Sequence, residues 1–142
     1  MKIANVIHNK GAEVVTIRAQ ATVAELVELL ARRNIGAVVV SSDGRSVDGI
    51  VSERDVVRHL AADGGEILNR TVAEVMTTPV VTATLEDGLG ATAHTMTYSR
   101  LRHIPVVEDG QLVAIVSLGD VVKYRIDQLT DERNHLLEYL HT

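Results

Sequence analysis

Apolar positions along the chain alternate between two spacings, and the alternation occurs twice. Val14-Val15-Thr16-Ile17 is a β-branched run that predicts a strand over 14–17. Thr22 followed by Glu25 is the pairing that opens a helix. Val23, Leu26, Val27 and Leu30 then continue at i, i+3, i+4, i+7, the spacing of one helical face. The apolar run 35–40 is short and reads as a buried strand. Asp43-Gly44 marks a turn, residues 49–51 return as another strand, and from Ser52 a second helix carries Val56, Val57 and Leu60. The later half predicts a strand over 80–83, a helix around Leu89, Ala93 and Met96, a strand over 103–107, a turn at Asp109-Gly110, a return strand over 112–116 and a helix from Ser117. Gly88 and Gly90 weaken the start of its first helix by about 1 kcal/mol each relative to Ala, so that helix must lean on packing.

The two halves align residue by residue. Val14-Val15-Thr16 recurs as Val80-Val81-Thr82, Val40 as Val106 and Asp43-Gly44 as Asp109-Gly110, each 66 positions on. One residue is then lost, and Ile50-Val51-Ser52 recurs as Ile115-Val116-Ser117 and Asp55-Val56-Val57 as Asp120-Val121-Val122. The predicted order is β-α-β-β-α, twice. A unit of this size buries little surface alone, so the two copies are expected to share a body, α+β in class and pseudo-twofold, with two clefts between them. The expected organisation is an N-terminal segment 1–11, repeat 1 over 12–62, a linker 63–78, repeat 2 over 79–126 and a C-terminal helix 127–142. Val122, Ile126, Leu129, Leu136 and Leu140 form a 4-3 seam interrupted by Arg133. Such a seam either folds back on the body or pairs with a second chain, and the spacing favours the second.

Composition narrows the classes. Apolar residues are 46% of the 142, aromatics only 2% (three Tyr), and there is no Trp, Phe or Cys. The core must be aliphatic. A net charge of −5 offers no basic field for nucleic acid, and the stacking platforms of single-strand binders are missing. Without Cys there is no disulfide frame and no thiol nucleophile. The first eleven residues lack the apolar core of a signal peptide, and no stretch has the run of apolar residues a spanning helix needs. These readings predict a cytoplasmic protein that meets no membrane.

The recurring constellation is Ser-x-x-Asp after a strand: Ser52-Glu53-Arg54-Asp55 and Ser117-Leu118-Gly119-Asp120. Two readings stand side by side. Ser-x-x-Asp caps a helix and places an acid in its first turn. The same geometry leaves N–H groups and a positive dipole end that attract phosphate, beside a carboxylate able to accept from two ribose hydroxyls. Arg54 opposes the dipole of its helix, a conflict that a phosphate would relieve. Arg102-His103 opens an otherwise apolar strand, as a surface pair or as a phosphate contact; Gly36-Ala37 stands there in the first copy. Enzymatic readings are poorer. Ser52 and His59 are about 10 Å apart along one helix, too far to hydrogen-bond. None of the six His pairs with another at i+3 or i+4, so no metal site is expected. Glu25 and Glu28 read as exposed helix carboxylates, and no phosphate-binding glycine loop occurs. A hydrolase built on Ser117, His103 and Asp120 is the remaining catalytic alternative; no catalytic residue is assigned.

The motifs 34–40 (Asn-Ile-Gly-Ala-Val-Val-Val) and 100–106 (Arg-Leu-Arg-His-Ile-Pro-Val), with 49–55 and 114–120, resemble those of CBS-pair proteins, or Bateman modules. The resemblance covers residues 12–126 and extends to small stand-alone bacterial members with a helix after the second repeat. It implies tandem CBS repeats that bind an adenosyl ligand between them and a non-enzymatic regulatory role. It also implies a homodimer that forms a flat four-repeat disc, and an effector protein that reads the ligand. Carried over, one site uses Ser117 and Asp120 with His103 or Arg102 at phosphate, and Val15, Ile35 and Gly36 as the adenine wall. The other uses Ser52, Arg54 and Asp55, with Thr77, Val81, Leu101 and Arg102 as its wall. AMP is the favoured ligand and an NAD-type dinucleotide (NAD(H)) the next; ADP, ATP and S-adenosylmethionine remain candidates. The alternative function is a ligand-free dimerisation scaffold.

Overall fold

The structure, a computed structural model, describes residues 1–10 and 13–141. The expected boundary between the N-terminal segment and repeat 1, at residues 11 and 12, and the last residue of the tail, 142, lie outside the described residues. Repeat 1 contains β1 (Thr16–Ile17), α2 (Val23–Arg33), β2 (Ala37–Val40), β3 (Gly49–Ser52) and α3 (Glu53–Asp63), preceded by α1 (Ile3–Lys10). A 3-10 turn (Gly64–Asn69) and α4 (Val72–Val75) lead to α5 (Leu89–Tyr98), β4 (His103–Glu108), β5 (Gln111–Ser117) and α6 (Leu118–His141). Thr22 and Glu25 form the expected reciprocal cap on α2. α5 starts at Gly88 with no side-chain cap, and Thr92, Thr95 and Thr97 return their hydroxyls to carbonyls four residues back.

The duplication is visible in the hydrogen bonds. β2 pairs antiparallel with β3 as Ala37↔Ser52, Val38↔Val51, Val39↔Ile50 and Val40↔Gly49. β4 pairs with β5 as His103↔Ser117, Ile104↔Val116, Pro105↔Ile115 and Val106↔Ala114, the same register at the offsets read from the sequence. The second hairpin runs on through a bulge to Glu108↔Gln111. Asp109 and Gly110 both have positive φ there, the conformation a two-residue hairpin turn demands.

The strand expected over 80–83 does not form. β1 pairs parallel with β2 through Thr16↔Val39 and Ile17↔Val40, but in repeat 2 only Ala83↔Val106 remains. Pro105 stands where Val39 stands and has no N–H to return a bond, so the ladder ends at Ala83. In repeat 1 the strand is likewise shorter than the β-branched run, starting at Thr16.

The two copies have separate aliphatic cores, each completed by a segment that precedes the other copy. Val72 and Val75 of α4 join Val23, Leu26, Val38, Val40 and Val51 in the first core, with Ile67 of the 3-10 turn. Ile3, Val6 and Ile7 of α1 join Leu89, Met96, Ile104, Val106 and Val116 in the second. The expected N-terminal segment is thus a core element of repeat 2. Its backbone contacts copy those of α4. Val23 N donates to Arg70 O, Val72 N to Ala21 O and Ala73 N to Ala19 O, while Leu89 N donates to Met1 O, Ile3 N to Asp87 O and Ala4 N to Leu85 O. Fully burying an Ile or Val contributes about 1.5–3 kcal/mol, so each arm holds its distant repeat firmly. Gly49 lets β3 approach the end of α4, because a Cβ there would lie 2.6 Å from Met76 Sδ.

The closing helix of repeat 2 does not stop at the end of the repeat. α6 runs 24 residues, about 36 Å, and absorbs the separately expected tail helix. It does not fold back: Ile126, Leu129, Leu136 and Leu140 are exposed.

The loop between β2 and β3 is organised by Asp43. Its Oδ1 accepts from Arg45 N and Ser46 N at 2.8 and 2.7 Å and from Ser41 Oγ. These donors hold its pKa down at about 2, from an ordinary 3.8. The folded-state value is depressed, so the stabilising effect is complete above the ordinary value and is lost as pH falls toward 2. Stability measured by urea unfolding is expected to fall less steeply between pH 3.8 and about 2 in Asp43→Asn than in the native chain. Ile3→Ala is expected to cost about 2–5 kcal/mol. Amide exchange should then show protection lost first in β4 and β5, not in β2 and β3.

Candidate functional site

Both Ser-x-x-Asp motifs form reciprocal caps. Asp55 Oδ2 accepts from Ser52 N at 2.8 Å and Ser52 Oγ at 3.1 Å, and Asp55 N donates to Ser52 Oγ at 3.4 Å. Asp120 Oδ2 accepts from Ser117 N at 2.9 Å, and Asp120 N donates to Ser117 Oγ at 3.0 Å. The first residue of each closing helix is also tied to the start of its own repeat's hairpin: Glu53 N donates to Gly36 O, and Leu118 N to Arg102 O. Capping geometry is therefore present at both motifs, and it aims each carboxylate along the edge of its helix.

The Asp55 motif opens into a cleft lined from both repeats. Ser52, Arg54, Asp55 and Arg58 come from the β3–α3 junction, Gly36 and Ala37 from the start of β2, Leu101, Arg102 and His103 from the start of β4, with Ile50, Glu53, Thr77 and Arg100. The cleft is half open to solvent and its volume is about 110 Å³, on the scale of cavities that take one aromatic ring. Asp55 is buried. Among the described residues its Oδ1 accepts only from Thr77 Oγ1, at 3.3 Å, which leaves one lone-pair direction on that oxygen unspent by them. Thr77 is held in place by a two-way backbone bond with Ile50. Gly36 keeps the floor low: a Cβ there would lie 3.4 Å from the Glu53 carboxylate and 3.5 Å from the His103 ring.

Eight of the residues singled out from the sequence share this cleft: Gly36, Ser52, Arg54, Asp55, Thr77, Leu101, Arg102 and His103. The sequence divided them between two sites. Gly36 and Arg102 are equivalent positions of the two copies, and the starts of both hairpins border one opening. Ser117 and Asp120 sit at the other closing helix. Val15 and Ile35 pack against the first core. Val81 is exposed and lies with Thr82, Asp87 and Thr92 along a depression beside the start of α5. Ala37, Ile50, Glu53, Arg58 and Arg100 are cleft residues that the sequence reading missed. Arg58 was legible, one helical turn after Arg54. Among the described residues no group of three His, Asp or Glu side chains is placed to hold a metal ion, and no helix is long and apolar enough to cross a membrane.

A duplicated β-α-β-β-α unit with exchanged leading helices and paired Ser-x-x-Asp caps defines a class, and comparison with known proteins supplies its name. The CBS domain model matches twice, over residues 7–62 and 72–127, and this chain belongs to the CBS-domain family. The family is one of non-catalytic regulatory modules. The mitochondrial CBS domain-containing protein CBSX3 of Arabidopsis thaliana is 32% identical over 84% of this chain and 60% of its own length. The protein MJ1225 of Methanocaldococcus jannaschii is 31% identical over 78% of this chain and 39% of its own. This chain thus spans under two thirds of either relative. The crystal structure of ATU1752, a CBS-domain containing protein from Agrobacterium tumefaciens, superposes with a TM-score of 0.84 at 38% identity, covering 88% of this chain and 99% of that one. The CBS domain pair of protein MJ0100, in complex with 5′-methylthioadenosine and S-adenosyl-L-methionine, superposes at 0.79 with 21% identity, a likeness of fold that covers 90% and 98% of the two chains. Relatives in bacteria, archaea and plants place this chain among the CBS pairs at large.

Removing the carboxylate tests the cap directly. Asp55→Ala is expected to lower unfolding stability by about 1–2 kcal/mol, the cost of a lost N-cap partner, with the native fold kept in circular dichroism.

Proposed function

We propose that this chain is an adenine-nucleotide-binding regulatory module that holds its ligand between the repeats and passes its state to a partner protein. The observation that carries this reading is the Asp55 cleft. A buried, pre-aimed carboxylate with an unspent lone pair, a helix N-terminus and several cations converge there on a small opening walled by Gly36, Ala37 and Leu101. A ribose diol suits the carboxylate, a purine suits the apolar walls, and phosphate suits the cations. Adenosyl compounds occupy the same fold in MJ0100, which supports that ligand class. AMP-type and NAD-type nucleotides both meet these requirements. The second site would use Ser117 and Asp120 with Val15 and Ile35. Ligand can shift the arrangement of the repeats only through unequal affinity for two arrangements, and a partner then reads the difference.

Homodimerisation belongs to the same proposal. Val57 on α3 and Val122 on α6 are equivalent positions and both are exposed, as are Leu60 and Ile126 nearby on those helices. The same face supports a second reading, a ligand-free dimerisation scaffold, because the apolar stripe continues along α6 through Leu129, Leu136 and Leu140. A thermal-shift series with AMP, ADP, ATP, NAD and S-adenosylmethionine separates the two. A ligand at a hundred times its Kd stabilises by about 2.7 kcal/mol, a rise of several degrees for a chain of this size. The module reading expects that rise from at least one compound, and its loss in the Asp55→Ala, Asp120→Ala double variant. No rise with any of the five favours the scaffold.

A further inference from the structure

We infer that α6 pairs antiparallel with α6 of a second copy, the tail of each chain lying along the first turns of the other's closing helix. The inference rests on the homodimer reading and deepens it by naming the segment that holds the pair, its direction and its register. It needs no ligand.

The helix outruns the body it starts from. Val121 is buried and Tyr124 packs against the second core. Residues 125–141 continue the helix for about 25 Å, and among the described residues none of them belongs to either core. Yet Ile126, Leu129, Leu136 and Leu140 recur there at the 4-3 spacing by which two helices close a seam. Leu136 and Leu140, farthest from the body, are 64% and 76% exposed. Val122, also exposed, carries the stripe back onto the body. A contiguous apolar stripe left in water marks a contact surface.

The charges select a second copy as the occupant and give it a direction. Lys123 and Arg125 stand at the start of the seam. Residues 127–141 hold four carboxylates, Asp127, Asp131, Glu132 and Glu138, and Arg133 as their one Lys or Arg. A parallel pair would set base against base and acid against acid. An antiparallel pair brings the basic start of each helix beside the acidic end of the other, where the helix dipole also favours cations.

The register follows from covering the whole stripe. Val122 then meets Leu140 of the partner, Ile126 meets Leu136, and Leu129 meets Arg133. The twofold axis passes beside Asp131, which gathers Glu132 and Arg133 of both chains at the centre. Among the described residues neither Glu132 nor Arg133 is ion-paired, and Arg133 reaches only Asn134 Oδ1 on its own helix, at 3.3 Å. Its stem can lie on Leu129 of the partner while its guanidinium bonds Glu132 of the partner. A parallel pair would stack Arg133 on itself. One polar position in an apolar seam fixes register at some cost in stability, and Arg133 is that position.

The chain has no Cys, so introduced cysteines report neighbours without background. Sedimentation velocity is expected to show a dimer for the native chain. The double variant Leu129→Asp, Leu136→Asp should be a monomer with the native circular dichroism, because neither side chain belongs to a core. Oxidising a mixture of the Ile126→Cys and Leu136→Cys chains should link one variant to the other. Neither should link to itself, since like positions then lie about 15 Å apart, beyond disulfide reach. Arg133→Glu is expected to weaken dimerisation about a hundredfold, and adding Glu132→Arg should restore it. A dimer that survives the double Asp variant, a single-cysteine chain that links to itself, no link in the mixture, or an Arg133→Glu dimer as tight as the native one would each overturn the inference. Each leaves a homodimer held by the repeats. A native chain that stays monomeric would overturn the homodimer reading as well.

Discussion

Each repeat depends on a helix it does not own. The hairpin and helices of one copy leave an aliphatic face open, and the segment leading into the other copy closes it: Val72 and Val75 on the first core, Ile3, Val6 and Ile7 on the second. This reciprocal exchange makes one body of two small units, neither of which could bury enough surface alone. It also builds the cleft. Thr77 follows α4 directly, so packing of α4 delivers its hydroxyl to Asp55 and its backbone to Ile50. The site is consequently tied to the core through two residues of chain.

The Ser-x-x-Asp motif shows how a structural device and a binding device share atoms. The cap engages one carboxylate oxygen of Asp55 with the amide and hydroxyl of Ser52 and turns the other toward the cleft. A carboxylate fixed in this way has little rotamer freedom left to lose when a ligand arrives. Duplication then produced two such frames, whose side chains differ: Gly119 stands for Arg54, Asn34 for Arg100 and Gly36 for Arg102.

Much of this was legible in the sequence. The hairpin registers follow the landmarks that recur at 66 and 65 positions, because buried β-branched positions and turn residues tolerate little change. The arms went unread because they recur at a different offset: Ile3-Ala4 and Val6-Ile7 match Val72-Ala73 and Val75-Met76 at 69. The strand over 80–83 was misjudged for a non-local reason. Its own residues favour extended backbone, but the ladder needs an N–H that Pro105 lacks. The cleft was half legible. Chain order identifies the residues with the right chemistry, yet it cannot show that Gly36 and His103 border the same opening as Asp55. That follows only from how the two hairpins meet.

The most direct measurement is a crystal structure of the chain grown with ADP. The account predicts nucleotide at the Asp55 cleft. Its ribose oxygens should lie within about 3 Å of the Asp55 carboxylate, its purine between Gly36–Ala37 and Leu101, and its phosphates against the arginines of α3 and β4. ADP bound elsewhere, or a cleft closed by Glu53 and the arginines paired among themselves, would contradict it.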